Sequence, residues 1–310
     1  MTRLRLIRSP CRFRNRSNAV PSSSVPRPNL TQVPGRAFST GGLLSPQAAV
    51  RFLLASGWAV LKFQTRSRKP RAHLWQKMYI VPRMANDQEK EAAARASLQF
   101  IQDGQVVGLG TGSTAAYFIK LLGEKVKSGL RIRGIPTSDR SGQLATTLGI
   151  PLITLDDCQE IDVTVDGADE VDPQLRLIKG GGGAMLREKI VASATKKLVI
   201  VADGTKQVPR LGKFPLPVEV IRFAQALVRK RVEALGAQVT LRTNPDGSPY
   251  VTDENNHILD CRFGEIQDPD HLAPQLSEMA GVVEHGLFIG MASVVLFARG
   301  NEIVELKRKN

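Results

Sequence analysis

Three short stretches of this chain bring together residue types that can move protons on a small anionic molecule. The first is Gly108-Leu-Gly110-Thr111-Gly112-Ser113-Thr114, which follows an apolar run and opens a helical pattern. Glycines let the backbone turn tightly, and free N–H groups at a helix start favour an anion. The stretch is not the dinucleotide fingerprint, which needs Gly where Ser113 stands, nor a P-loop, which needs Lys before Ser or Thr. Hydroxyls on Thr111, Ser113 and Thr114 suit a sugar phosphate; read alone, a capped turn explains them as well. The second stretch runs from Asp162 to Asp172, an apolar strand ending in carboxylates, with Asp166 and Asp169 flanking Gly167 and Ala168. Carboxylates packed at a strand end repel, and one pKa should rise toward the range useful for proton transfer. A divalent-metal site or a plain acidic turn are the alternatives. A metal site would want His or further converging carboxylates, and the next stretch offers a cation instead.

That third stretch is Lys179-Gly180-Gly181-Gly182-Gly183. A Lys at a strand end can neutralise an oxyanion, and the glycines let a substrate approach the backbone. The helix after it returns Glu188 to the same rim, although Arg187-Glu188-Lys189 taken alone reads better as a solvated helical face. Asp203-Gly-Thr-Lys206-Gln207 supplies one more strand-end cation. Pro136 to Ser141 supplies further hydroxyls, or only a turn and an N-cap. Together these groups point to metal-free proton transfer on a small phosphorylated polyol or sugar, with no cofactor. One carboxylate moves a carbon-bound proton, a second manages hydroxyl protons, and Lys with backbone amides stabilises an enediolate.

The elements that must position these groups alternate along the chain. Helical spacing over Glu89–Gln102 precedes a strand at 105–109. A helix after Thr114, a strand at 131–135 and a helix at 139–148 follow. Strands are expected at 151–155 and 161–165, then 175–178, a helix at 184–197 and a strand at 198–202. Such alternation predicts an α/β fold, a parallel sheet with helices on both faces and ligands at the carboxyl ends of its strands. After Pro215 the pattern becomes a smaller α+β unit. It has strands at 218–221, 238–241, 250–252 and 258–261, turns at 244–247 and 254–256, a helix at 272–279 and a strand at 282–288. The last strands, 294–297 and 303–306, return to the first sheet. The expected division is therefore 84–214 plus 291–310 for the catalytic domain and 215–290 for the smaller one.

Charge separates the rest. Of the 43 Lys and Arg in the 310-residue chain, 16 lie in residues 1–83, which hold no Asp or Glu; residues 84–310 net −2. The basic excess thus sits outside the enzyme-like part, which excludes a nucleic-acid-coating domain. Two readings stay open for 1–83: an organellar transit peptide, being acid-free and rich in Arg and Ser, or a non-functional or mis-assigned extension before a natural start at Met84. The apolar run 48–61 is too short for a membrane span. Three Cys in an odd, unpaired spacing give no disulfide framework, and the four His show no zinc spacing.

The motifs resemble those of the ribose-5-phosphate isomerase family of the A type. The matching segments are Gly108 to Ala115, Val165 to Glu170, Ile178 to Gly182 with Arg187-Glu188-Lys189, and Ala202 to Gln207. Leu211 to Val220 and Gly281-Val-Val with Gly286-Leu-Phe288 match too, in the family's order and spacing. The resemblance implies a Rossmann-like domain with a smaller α+β domain. It also implies metal-independent interconversion of ribose 5-phosphate and ribulose 5-phosphate in the non-oxidative pentose phosphate pathway. It implies Glu188 as the general base and Asp166 and Asp169, with Lys179 beside them, as the groups handling ring opening and hydroxyl protons. Substrate binding falls to Thr111–Thr114, Asp166–Asp169, Lys179–Gly182 and Lys206, with Lys90 a further phosphate-proximal cation. No metal, nucleic acid or membrane partner is implied. Assembly as a homodimer or homotetramer is, in the cytoplasm or in an organelle if 1–83 is a transit peptide. The rivals are another sugar-phosphate isomerase/deaminase, for which no His-centred site is found, a CoA transferase, and a non-catalytic sugar-phosphate sensor, which would not need Glu188.

Overall fold

The computed structural model describes residues 81–300 and 302–308. The expectations for the basic N-terminal stretch lie outside the described residues up to position 80. Helix α1 (Val81–Ser97) begins earlier than its apolar spacing indicates and fully buries Ala93 and Ala94. Strand β1 (Val106–Leu109) is buried throughout, and α2 (Ser113–Lys127) turns Ala115, Phe118, Ile119 and Leu122 inward at helical spacing. Strand β2 (Arg133–Pro136) leads into α3 (Asp139–Thr147). A capping box starts that helix, with the Ser138 hydroxyl accepting from the Ser141 N–H and the Ser141 hydroxyl accepting from the Ser138 N–H. Strand β3 (Ile161–Asp166) is followed by the short antiparallel pair β4 (Glu170–Val171) and β5 (Leu177–Ile178). Then come α4 (Met185–Ser193) and β6 (Thr195–Asp203).

The remaining elements are β7 (Leu216–Val220), α5 (Gln225–Ala234), β8 (Gln238–Leu241), β9 (His257–Arg262), α6 (Pro269–Ser277), β10 (Val282–His285), β11 (Leu287–Phe288), β12 (Ala292–Arg299) and β13 (Glu302–Lys307). The main sheet has the order β13-β12-β6-β3-β1-β2, parallel except for β13. One apolar cluster joins α1 and α2 to this sheet through Phe118, Leu122, Val165 and Val201; another lies around Phe288, Ile200 and Phe297. A separate antiparallel sheet, β10-β7-β9-β8, has its own core of Val218, Val228, Leu259 and Leu276. The mixed α/β class expected from the alternation is thus present, with a parallel sheet and a smaller antiparallel one.

Local departures have local causes. The strand expected at 151–155 is a single bridge, Leu152 to Gly134. Beyond it Asp157 accepts the N–H and hydroxyl of Thr154 and closes a turn. The strand expected at 250–252 is absent: Tyr250 donates its N–H to the Arg242 carbonyl and Thr252 to that of Asn256, folding the segment into turns. Helix α4 stops at Ser193 because Thr195 already pairs with Ile161, its hydroxyl 2.6 Å from that of Thr164. The expected run 282–288 breaks at Gly286, whose N–H goes to the Pro217 carbonyl while its own carbonyl accepts from Lys179. Cys261 is a buried free thiol. Among the described residues no helix is long and apolar enough to cross a membrane.

Candidate active site

Three neighbouring parallel strands, β1, β3 and β6, deliver their carboxyl ends to one cleft. The 110–114 turn follows β1, Asp166 ends β3, and Asp203 ends β6 before a short 3-10 turn through Lys206. The cleft holds about 180 Å³ and is walled by Thr111–Thr114, Gly167–Asp169, Lys179–Gly182, Glu188, Lys90, Lys206, Asp203 and Thr205. Close approach explains two of the glycines. A Cβ on Gly110 would lie 2.3 Å from Asp166 Oδ1, and one on Gly181 2.6 Å from Asp169 Oδ1.

The charged centre lies on the cleft floor. Lys179 Nζ sits 2.9 Å from Asp166 Oδ2 and 3.2 Å from Glu188 Oε2, and donates to the Gly167 carbonyl at 2.6 Å. The three side chains are only 3%, 2% and 4% exposed, in the order Lys179, Asp166, Glu188. The two carboxylates are not equivalent. Asp166 Oδ1 accepts the backbone N–H groups of Thr111 at 3.0 Å and Gly167 at 2.7 Å, besides the ammonium on Oδ2. Glu188 Oε2 is buried without a hydrogen-bond donor, its contact with Lys179 being a charge contact and not an aligned bond.

Burial pushes the Glu188 carboxyl up to about 8, with the nearby Asp166 and Asp169 charges adding to the rise and Lys179 opposing it. Burial raises Asp166 as well, against the pull of Lys179 and the two N–H donors. Burial alone would lower Lys179, but Asp166 and Glu188 outweigh it and hold the ammonium above its ordinary value. Burial thus raises both carboxyls; Asp166 accepts two N–H groups and the ammonium, whereas Glu188, pushed up to about 8 and left without a donor on Oε2, can take and release a proton near neutral pH.

Most residues singled out in the sequence meet here, in distinct places. Asp169 holds the glycine run through a 2.7 Å bond from Gly181 N–H to its Oδ2. The Thr111 hydroxyl is turned into a network with Thr137 at 2.7 Å and Ser138 at 2.8 Å. Ser113 and Gly112 are exposed, Thr114 is buried, and the start of α2 has no side-chain cap. Lys206 and Lys90 are half-buried cations on the wall, the latter 3.4 Å from Asp87. Asp166 does not line the cleft but lies beneath it, behind Lys179. Among the described residues no three His, Cys, Asp or Glu side chains gather as a metal-binding group.

Sequence reasoning passed over Arg242 and Tyr250, which reach the glycine run from the antiparallel sheet and its loop. It also passed over the role of Lys189, which donates to Glu284 at 2.7 Å and to the His285 carbonyl at 2.6 Å. These contacts span 60 to 100 residues of chain, and no short motif announces them.

Comparison with known proteins agrees with this geometry. The sequence model of ribose 5-phosphate isomerase A (phosphoriboisomerase A) matches residues 133–302. The chain is 50% identical over 229 residues to ribose-5-phosphate isomerase A of Parvibaculum lavamentivorans, covering 71% of this chain and 99% of that protein. It is 51% identical to the Synechococcus protein of the same name, covering 72% and 98%. Among solved structures, a D-ribose-5-phosphate isomerase in complex with phospho-erythronic acid superposes with a TM-score of 0.70 at 41% identity, over 72% of this chain and 99% of that one. The Plasmodium falciparum ribose 5-phosphate isomerase gives 0.70 at 35% identity, over 72% and 100%. Sequence and fold agree over nearly the whole length of these relatives, and this chain belongs to the ribose 5-phosphate isomerase A family.

Proposed function

We propose that this chain interconverts ribose 5-phosphate and ribulose 5-phosphate by proton transfer through an enediolate, in the non-oxidative pentose phosphate pathway. The observation that carries the mechanism is Glu188, buried beside Lys179 with an oxygen that no donor satisfies and a carboxyl pushed up to about 8. In its ionised form Glu188 takes the proton from C2 of the open-chain aldose and returns it to C1. Charge that develops on the substrate oxygens faces the Lys179 ammonium and the N–H groups of the glycine run. Asp169 on the cleft wall, and Asp166 acting through Lys179 beneath it, manage the hydroxyl protons, first in ring opening and then between the two oxygens of the enediolate. The uncapped start of α2 and the cations Lys90 and Lys206 receive the phosphate.

On this reading no metal takes part. Turnover of ribose 5-phosphate, followed by proton NMR, should be unchanged after exhaustive treatment with a chelator. Activity lost on chelation and restored by added metal would overturn the scheme. The reading extends to a division into a catalytic part, 84–214 plus 291–310, and a smaller part, 215–290, supported by the separate cores of the two sheets. It also extends to assembly as a homodimer or homotetramer and to a cytoplasmic enzyme, or an organellar one if residues 1–83 act as a transit peptide.

A further inference from the structure

We propose that Arg242, at the end of β8 in the antiparallel sheet, is a positioning residue that fixes the glycine run 180–183 in the form that receives substrate. Its guanidinium donates from Nη1 to the Gly180 carbonyl at 2.9 Å and to the Gly181 carbonyl at 3.3 Å. The guanidinium is itself held by Asp260, which accepts from Nε at 3.0 Å and pairs with Nη2, and the side chain is only 13% exposed. Its backbone is fixed too, the N–H donating to the Ile258 carbonyl and the carbonyl accepting from Tyr250. The Tyr250 hydroxyl donates to the Gly182 carbonyl at 3.4 Å, and its ring lies 5.9 Å from the guanidinium. Three consecutive glycine carbonyls are therefore taken by two side chains that belong to neither the β1–β3–β6 strand ends nor α4.

This has a consequence for the other side of the loop. In a planar trans peptide the N–H points opposite to the carbonyl it shares a plane with, and the chain has no cis bonds among the described residues. Drawing the Gly180 carbonyl outward turns the Gly181 N–H inward, where it meets Asp169 Oδ2 at 2.7 Å. Drawing the Gly181 carbonyl outward likewise turns the Gly182 N–H toward the cleft that residues 179–182 line. Four glycines in a row have the most backbone freedom a chain can have. Beyond the Asp169 bond and the turn bond from the Gly183 N–H to the Gly180 carbonyl, ordering that this brace does not supply would fall on the substrate as a loss of binding free energy. Gly183 fits the same picture: a Cβ there would lie 2.3 Å from the Tyr250 hydroxyl.

The inference rests on the proposed isomerase reading, and kinetics on the full chain test it. Arg242→Met keeps the apolar stem and removes the guanidinium. The expected result is a KM for ribose 5-phosphate raised about tenfold with kcat within about threefold, the split that loss of uniform binding gives. Arg242→Lys, which keeps a cation for Asp260 but reaches at most one carbonyl, should fall between wild type and Arg242→Met in KM. If Arg242→Met does not fold, a KM for Arg242→Lys raised at least threefold supports the brace, and an unchanged one overturns it. Folded Arg242→Met with unchanged KM, whatever its melting temperature, also overturns it, as does a fall in kcat at constant KM. Wild type that does not turn over ribose 5-phosphate would refute the isomerase reading separately. The brace would then be decided by calorimetry with phospho-erythronic acid, a tenfold weaker Kd in Arg242→Met being expected. Equal affinities, or no binding by wild type, would overturn it.

Discussion

Glu188 differs from an ordinary surface glutamate through three features of its surroundings: burial, two neighbouring aspartates and an ammonium that faces it without a good hydrogen bond. With its carboxyl pushed up to about 8, the base form is the minority at neutral pH. The pH profile of kcat/KM for ribose 5-phosphate should then climb about tenfold per unit up to about pH 8 and level off above it. A profile flat from pH 5 to 9 would remove Glu188 as the base. The same shift acts on stability. Between the ordinary carboxylate range and pH 8 the folded protein holds a proton that the unfolded chain has released. Wild-type stability should therefore decline as pH rises through that window. Glu188→Gln has no such proton to lose, so its melting temperature should gain on wild type from pH 5 to pH 9; a constant difference would contradict the shift. The residues of this centre were legible in the sequence because Asp166, Asp169, Lys179 and Glu188 all lie within two dozen positions and end or follow short apolar strands. The unequal hydrogen bonding of Asp166 and Glu188 was not legible, since it depends on the N–H of Thr111, 55 residues from Asp166.

At the scale of elements, α4 carries the base between two ionic anchors. Arg187 pairs with Asp139 at the start of α3 and with Glu254 in the loop before β9. Lys189 pairs with Glu284 in β10, donates to the His285 carbonyl and lies 4.9 Å over the Phe288 ring. Read as sequence, Arg187-Glu188-Lys189 alone fits a solvated face better; tertiary partners 48 to 96 residues away decide against that reading. Lys189→Met keeps the stem and removes the charge, leaving Glu284 without its cation. It should lower the unfolding free energy by about 2 kcal/mol, a typical value for a charge-assisted bond, and reduce kcat several-fold more than it changes KM. Urea unfolding and steady-state kinetics check both; unaltered kcat in a folded variant would show that α4 does not need this anchor. The strands expected at 151–155 and 250–252 show the opposite limit. Their β-like composition gives way where Asp157 closes a turn and where Tyr250 and Thr252 bond within their own loop.

For the molecule as a whole, the parallel sheet could be foreseen from strand–helix alternation but not its order β12-β6-β3-β1-β2, since the antiparallel unit stands between β6 and β12. The antiparallel sheet was foreseen as a unit, but not its reach into the cleft, since Arg242 and Tyr250 act on backbone carbonyls and carry no motif. The two curated relatives described above are matched over 98 to 99% of their length by 71 to 72% of this chain. A chain starting at Val81 should accordingly turn over ribose 5-phosphate with kcat within about twofold of the full chain; inactive folded product would give the basic stretch a catalytic part. Light scattering should return the mass of at least two chains, and a monomer at micromolar concentration would contradict the proposed assembly.

The most direct test of the proton-transfer account is to incubate ribose 5-phosphate with wild type and with Glu188→Gln in heavy water and follow C1 of the ketose by NMR. Wild type should form ribulose 5-phosphate carrying deuterium at C1. Glu188→Gln should lose both ketose formation and exchange by at least about 100-fold, the low end for a general base, while binding substrate within a few-fold of wild type. Exchange or ketose formation in Glu188→Gln at a rate near wild type would contradict it.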